Sequence, residues 1–88
     1  MKRTPNFELV NVADDYILVP LGDQMEKFNG TVVLNEVSAF LLEKLESDLT
    51  IKELVRLLLD EYDVDFDTAQ ADVEKAVEEM KKLGIVYE

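Results

Sequence analysis

The sequence contains no cysteine and no histidine. Their absence excludes disulfides, thiolate nucleophiles, imidazole general bases and the usual ligands of a zinc site. Carboxylates, lysines, tyrosines and hydroxyls remain, but most enzymes keep at least one group that titrates near neutral pH. The composition therefore predicts a protein that is not an enzyme, with no catalytic residue, no metal site and no cofactor.

Long apolar runs and glycine-rich loops are also missing. No stretch approaches the roughly 18 consecutive apolar residues of a membrane helix, and no apolar signal region follows the first six residues. The three glycines, at positions 22, 30 and 84, form no phosphate-binding motif. We expect a cytoplasmic protein without a membrane span, folded as a single domain over residues 1–88 around one core.

The charge is strongly acidic and unevenly distributed. The net charge is −11, and residues 35–88 hold fifteen acidic side chains against six basic ones. Such a surface repels a phosphate backbone and favours a basic or neutral partner. The charge pattern therefore predicts that the protein does not bind nucleic acid.

The first third of the chain has the pattern of three β-strands. Apolar and β-branched residues cluster over 7–12, 16–21 and 31–34, and the connection over 22–30 is bracketed by glycines. The apolar phase slips between Leu9 and Val10, which indicates either a bulge or a strand with both faces partly covered. Three strands in succession predict an antiparallel sheet.

Three helices follow, and each has a start signal. Asn35 is placed to cap the first, and Thr50 with Glu53 forms a capping box for the second. Asp67 with Gln70 marks the start of the third. The fold class is therefore predicted to be α+β and winged-helix-like, in the order β-β-β-α-α-α.

An acidic segment before the third helix partly matches a calcium-binding loop. Asp63, Asp65, Asp67 and Glu74 fall at positions 1, 3, 5 and 12 of that template. Position 6 is Thr68 in place of the required glycine, and the capping signals place this segment in a helix. An acidic turn between two helices is the better interpretation.

The third strand, over residues 31–34, lacks the features that normally protect the edge of a sheet. It contains no charge and no proline, although exposed edges are usually blunted by such residues. Either another element covers this edge, or the edge is open to pairing with an added strand. The periodicity of the sequence leaves both alternatives open.

The same order of elements suits a winged-helix DNA-binding regulator, which is the alternative function. In that class a helix enters the major groove and basic side chains contact phosphates and base edges. Here the third helix carries more acid than base, which opposes DNA binding. Its acidic residues are Asp67, Asp72, Glu74, Glu78 and Glu79, against three lysines.

Four segments, in this order and spacing, resemble the PqqD-like family. They are LNEVSAFLLEKL at 34–45, TIKELV at 50–55, EYDVD at 61–65 and MKKLGIV at 80–86, and the likeness extends over residues 8–87. The resemblance implies a winged-helix-like peptide chaperone for ribosomally made precursor peptides. Such a domain presents the precursor to a modifying enzyme, often a radical S-adenosylmethionine protein, in the biosynthesis of pyrroloquinoline quinone or a related peptide-derived product.

The resemblance also implies where the precursor binds. In the family the leader of the precursor adds a strand to the third strand and lies against the last helix. Carried over by position, the edge is Thr31, Val32, Val33 and Leu34, and the helix contributes some of Val73, Ala76, Val77 and Met80. A homodimer formed through the third strands of two copies remains an alternative use of the same edge.

Overall fold

The computed structural model describes residues 1–28 and 30–88. Asn29, which belongs to the connection predicted over 22–30, lies outside the described residues. The elements are, in chain order, β1 (Lys2–Arg3), β2 (Phe7–Val12), β3 (Asp15–Pro20), α1 (Gln24–Lys27), β4 (Val32–Leu34), α2 (Glu36–Lys44), α3 (Ile51–Glu61), α4 (Phe66–Lys82) and β5 (Val86–Tyr87). The predicted α+β class, three strands and three helices are confirmed, and β1, α1 and β5 are additions that the pattern did not predict.

The three central strands form an antiparallel sheet in the order β2-β3-β4. The β2–β3 ladder runs without interruption from Phe7 opposite Pro20 to Val12 opposite Asp15. Leu9 and Val10 are both half-buried. The slip in apolar phase therefore reflects a strand with both faces partly covered, and the bulge is excluded because no residue is left unpaired along the ladder.

The caps of α2 and α3 are those that the sequence predicts. The Asn35 side chain accepts a hydrogen bond from the Ser38 backbone N–H at 2.8 Å. Thr50 and Glu53 form both bonds of the capping box, at 3.1 and 3.0 Å. Each bond satisfies a backbone N–H that a helix leaves without an internal partner, so these helices begin where their caps place them.

The cap of α4 differs from the prediction. Asp65, and not Asp67, accepts a hydrogen bond from the Thr68 backbone N–H, at 2.7 Å, and the helix begins at Phe66. Asp65 has the extended backbone of an N-cap, with φ −80° and ψ 166°. Of the residues that match the calcium template, Asp65 is thus the cap of α4 and Asp67 lies in its first turn.

A single apolar cluster fills the space between the sheet and the helices. Its most deeply buried side chains come from β3, α2, α3, α4 and the last residues of the chain, and α3 packs along α4. These nine side chains are Leu18, Leu41, Leu42, Leu45, Leu54, Leu58, Val73, Met80 and Ile85. The helices are therefore held mainly by burial of their apolar faces.

A second, two-stranded ribbon brings the two ends of the sequence together. β1 pairs with β5, Lys2 opposite Tyr87 and Arg3 opposite Val86. The Thr4 hydroxyl donates a hydrogen bond to the Gly84 carbonyl at 2.7 Å, and Gly84 has φ +76°, as expected of the glycine that ends a helix. Ile85 and Val86 are buried, so the final segment folds back onto the core.

The Asp65 cap predicts a measurable dependence of stability on pH. Hydrogen bonds from the Thr68 backbone N–H and hydroxyl lower the pKa of Asp65 below its ordinary value of 3.8. Since the folded-state pKa is lowered, this stabilisation is present above the ordinary pKa and is lost as the pH falls through the folded-state value. We expect Asp65→Asn, whose amide oxygen still caps the helix, to lose less stability than the wild type on acidification.

The measurement is the thermal midpoint, followed by circular dichroism from pH 7 to pH 2. Asp63→Asn is the matched control, because it removes the same charge from an exposed position two residues away. As the pH falls, the thermal midpoint of Asp65→Asn should rise relative to that of the wild type. Identical pH profiles for the two asparagine variants would contradict a role for Asp65 as a titrating cap.

Candidate functional site

The free edge of β4 is the first component of the candidate site. β4 is the last strand of its sheet, pairing only with β3 among the described residues. Leu34 is buried and Val32 half-buried, whereas the Val33 side chain is 65% exposed. Successive residues of a strand direct their N–H and C=O groups to opposite sides. The outer side of β4 therefore presents main-chain groups to solvent.

A cleft lies beside the end of this strand, between α2 and α4. It has a volume of about 230 Å³. Asn35, which directly follows β4, contributes to its lining, together with the first turn of α2 and one side of α4. The lining residues are Asn35, Val37, Ser38, Asp72, Lys75, Ala76 and Glu79.

The wall formed by α4 is mainly polar. Its four cleft residues are spaced at i, i+3, i+4 and i+7, so they lie on one side of the helix. Lys75 is flanked by the carboxylates of Asp72 and Glu79, and the buried Ala76 provides a small apolar floor. The cleft thus offers alternating charge and a narrow apolar base.

The structure places the four predicted residues of α4 in two different environments. Ala76 lines the cleft, but Val73, Val77 and Met80 are at most 2% exposed and belong to the core. The apolar stripe of α4 thus faces the interior and its polar flank faces the cleft, so of the four residues Ala76 has the position that the prediction requires, and a role in peptide binding stays a prediction. In this conformation the side chains of the other three are not available to a partner.

The residues that line the cleft without having been predicted are polar or belong to α2. The sequence pattern indicates ordinary solvent-exposed positions for Asp72, Lys75 and Glu79, although each directly precedes a residue of the apolar stripe. Asn35 was predicted only as the cap of the first helix, and Ser38 only as a residue within that helix. The spacing of Asp72, Lys75 and Glu79 is the signal that indicates a shared face.

The α2 wall is fixed in place by an aromatic pair outside the cleft. The rings of Phe40 and Tyr62 meet edge to face, with 5.6 Å between their centroids. Burial raises the pKa of Tyr62, and the nearby Glu36 carboxylate raises it further. Because Glu36 is the first residue of α2, this contact joins the start of the helix to the end of α3.

β2 forms the opposite edge of the same sheet and is the competing position for an added strand. It carries Glu8 and Asn11, both exposed, and none of its residues lines the cleft between α2 and α4. A strand added to β2 would gain main-chain hydrogen bonds without reaching that cleft. A strand added to β4 would also place side chains at the cleft.

The site presents groups that can bind a peptide backbone and charged side chains. Within the described ranges, no group of three or more acidic residues is placed to hold a metal ion. The same residues include no helix long and apolar enough to cross a membrane. What the arrangement provides is a row of main-chain donors and acceptors with a charged cleft at its end.

Comparison with known proteins gives a family and a fold. The family model described as Coenzyme PQQ synthesis protein D (PqqD) matches residues 15–86. No curated protein matches the sequence significantly. The matched segment begins with β3 and includes β4 and all of the cleft-lining residues.

Two solved structures share the fold over nearly the whole chain. One is described as TbiB1 in complex with the TbiA(beta) leader peptide, with a TM-score of 0.70, 22% identity, and coverage of 100% of this chain and 99% of that one. The other is a lasso peptide synthetase B1 complexed with the leader peptide, with a TM-score of 0.72, 18% identity, and coverage of 99% and 96%. Structural similarity at these levels of sequence identity establishes that the proteins share a fold.

Proposed function

Because the chain belongs to the PqqD family, we propose that it binds the leader of a ribosomally made precursor peptide. The leader pairs as an added strand with the free edge of β4, Val32–Leu34, and with Thr31, which directly precedes it. The bound precursor is then presented to a modifying enzyme. The product is pyrroloquinoline quinone or another peptide-derived compound.

The observation that carries this proposal is the unprotected edge of β4 beside the cleft. The strand has no proline and no charge, and its end leads directly into the cleft through Asn35. Natural proteins normally protect such an edge, because it promotes pairing with other chains. Two solved structures of this fold are described as leader-peptide complexes, which supports a leader peptide as the proposed partner here.

Main-chain pairing and the cleft have separate roles in the proposed complex. Hydrogen bonds to β4 set the register of the leader and contribute part of the affinity. Side chains on one face of the added strand reach Val37, Lys75 and Ala76, which supply selectivity. Val33 lies on the exposed face of β4, so it packs beside leader side chains of the same face.

The proposed role is that of a chaperone rather than a catalyst. The modification itself belongs to the partner enzyme, which we propose to be a radical S-adenosylmethionine protein. A precursor made by ribosomes is available in the cytoplasm, where we place the binding. Residues 1–88 act as a single peptide-recognition domain.

DNA binding is not the preferred function of this fold in this chain. The exposed cleft side of α4 carries Asp72 and Glu79 around one lysine. A helix entering the major groove needs basic side chains for most of its affinity at physiological salt. The acidic surface opposes that contact.

The decisive test combines titration with amide hydrogen exchange. The probe is the leader peptide of a short precursor identified among the genes next to the one for this chain, and a scrambled leader of the same composition is the control. The authentic leader should bind and slow exchange at residues 31–34 and along the cleft side of α4, because their amides become paired or shielded.

The exchange pattern separates the proposal from its alternatives. Protection at 31–34 in the free monomer, with no further protection when the leader is added, would overturn the proposal. Protection that depends on protein concentration without any leader would indicate a homodimer through β4. Protection of β2 in place of β4 would move the binding edge to the other side of the sheet.

A further inference from the structure

The face of the central sheet that points away from the helices carries aliphatic side chains. Val10, Ile17 and Val33 lie opposite one another on β2, β3 and β4, so their side chains form one row across that face. Leu18 and Leu34, which follow Ile17 and Val33 in the chain, point to the other face and are buried in the core. We call Val10, Ile17 and Val33 the outer row.

The outer row is apolar, yet it lies outside the core. Val10 and Ile17 are half-buried, and among the described residues they belong neither to the buried apolar cluster nor to the side chains packed against it. Val33, at the β4 end of the row, is 65% exposed. Since cross-strand neighbours cover an aliphatic side chain on a sheet, Val33 offers the largest uncovered apolar area of the row.

The hydrogen-bond register of the sheet directs the main-chain groups of Val33 to the free edge. Val12 and Asp15 close the hairpin between β2 and β3 as a hydrogen-bonded pair. Two residues further along each strand, Val10 and Ile17 form the next such pair and point their N–H and C=O groups at each other. Ile17 and Val33 are therefore a non-hydrogen-bonded pair, and the N–H and C=O groups of Val33 point away from β3.

A strand added to β4 thus meets Val33 in a defined way. In an antiparallel addition, the leader residue opposite Val33 exchanges both main-chain hydrogen bonds with it. In a parallel addition, those bonds go to the residues on either side of the opposite one. In both cases the opposite residue carries its side chain on the same face as Val33, so it becomes the fourth member of the outer row.

We propose that the outer row selects leaders with a β-branched or aromatic residue opposite Val33. This inference rests on the proposed function and adds one position of the leader and the chemical class of its side chain. Such a side chain covers the exposed part of Val33 and continues the apolar row, and pairs of this kind stabilise neighbouring strands. A charged side chain at the same position lies against an apolar surface without a partner of opposite charge.

Disulfide formation identifies the leader position opposite Val33. The chain contains no cysteine, so Val33→Cys supplies the only thiol of the protein. Leader peptides of the precursor identified among the neighbouring genes, each with one cysteine at a different position, are mixed with this variant in a glutathione redox buffer. One position should react most readily, because a disulfide needs Cα atoms about 4.4–6.8 Å apart and directly opposite residues satisfy this.

The residue at that position of the authentic leader should be β-branched or aromatic. A charged residue or a glycine there would overturn the inference. Disulfide formation at equal rates along the whole leader would overturn it as well, because no fixed residue would then lie opposite Val33.

The side-chain requirement is tested by placing charge on both strands. Val33→Lys should weaken binding of the authentic leader about fivefold, because a cation then faces an apolar side chain. A leader with glutamate at the identified position should bind Val33→Lys more tightly than it binds the wild type, since opposite charges on directly opposite residues attract. Lysine is common on exposed sheet edges, so the variant should fold, and its thermal midpoint verifies this.

The control is Val12→Lys, which adds the same charge on the same face of the opposite edge strand. Val12 is 52% exposed and lies two residues from Val10 on β2. Affinity for the authentic leader should remain within about twofold of the wild type. An equal loss of affinity in both lysine variants would show that only net charge matters and would overturn the inference.

The remaining outcomes separate this inference from the proposed function. Protection of residues 31–34 by the leader, with an affinity that neither Val33→Lys nor the leader glutamate changes, would overturn the inference alone. A wild type that binds no leader would overturn the proposed function as well. Self-association of the wild type that Val33→Lys abolishes, measured by sedimentation without leader, would assign the row to a second copy of this chain. Tighter binding of the glutamate leader by Val33→Lys than by the wild type and Val12→Lys supports the proposal.

Discussion

Met80→Asp is expected to unfold the protein rather than to impair binding selectively. Met80 is 1% exposed and lies among the buried side chains of α4. Loss of its apolar volume costs about 2–5 kcal/mol, and a carboxylate in its place has no partner in the core, which adds a desolvation penalty. Since domains of this kind are stabilised by only about 5–15 kcal/mol, the folded state should be largely lost.

The control for this prediction is Met80→Leu, which nearly conserves the apolar volume. It should cost less than about 1.5 kcal/mol and keep leader binding. Urea and thermal unfolding, followed by circular dichroism, measure both variants. A Met80→Asp protein with the wild-type midpoint but weakened leader binding would show that Met80 faces the cleft, as the apolar pattern of α4 had suggested.

Val33→Pro is expected to reduce leader affinity by about tenfold or more, equivalent to about 1.4 kcal/mol. Proline removes one main-chain N–H and fixes φ, so the strand offers a poorer template to an added chain. Since Val33 lies on an edge strand of three residues and is mostly exposed, the effect on folding should be smaller than the effect on binding. Calorimetric titration with the leader and the thermal midpoint measure the two effects.

Asn11→Pro is the matched control for the β4 variant. Asn11 is exposed and lies on the opposite edge strand, β2. Because Val12 and Asp15 close the two-residue turn as a hydrogen-bonded pair, the main-chain N–H of Asn11 points away from β3, as that of Val33 does. Asn11→Pro should affect stability to a similar degree and leave leader affinity unchanged. A larger loss of leader affinity in Asn11→Pro than in Val33→Pro would place the added strand on β2.

The local features of the fold were predictable because their causes lie within a few residues of each other. The Asn35 cap and the Thr50–Glu53 capping box each depend on a side chain three positions from its backbone partner. The three central strands follow from dense β-branched runs. The α4 cap was misplaced because Asp65 and Asp67 both fit the pattern, and only the packed structure selects between them.

The part of the site on α4 was less predictable because it depends on how the helix is rotated. The sequence shows one apolar stripe, and a pattern of apolar residues does not distinguish a core from a groove. Packing against α3 and α2 uses that stripe entirely for the core, so only Ala76 reaches the cleft. The pairing of Lys2 with Tyr87 was likewise inaccessible, because it joins segments 85 residues apart with only two residues in each strand.

The β1–β5 ribbon also bears on how this domain can be tethered to other proteins. Because Lys2 lies opposite Tyr87, linkers attached at either side of the ribbon leave the molecule from nearly the same point. A fused enzyme would then have a similar reach to the β4 edge whether it precedes or follows the domain. Swapping the order of two fused modules should therefore alter their geometry little, and a circular permutant joined across the ribbon needs only a short connecting segment.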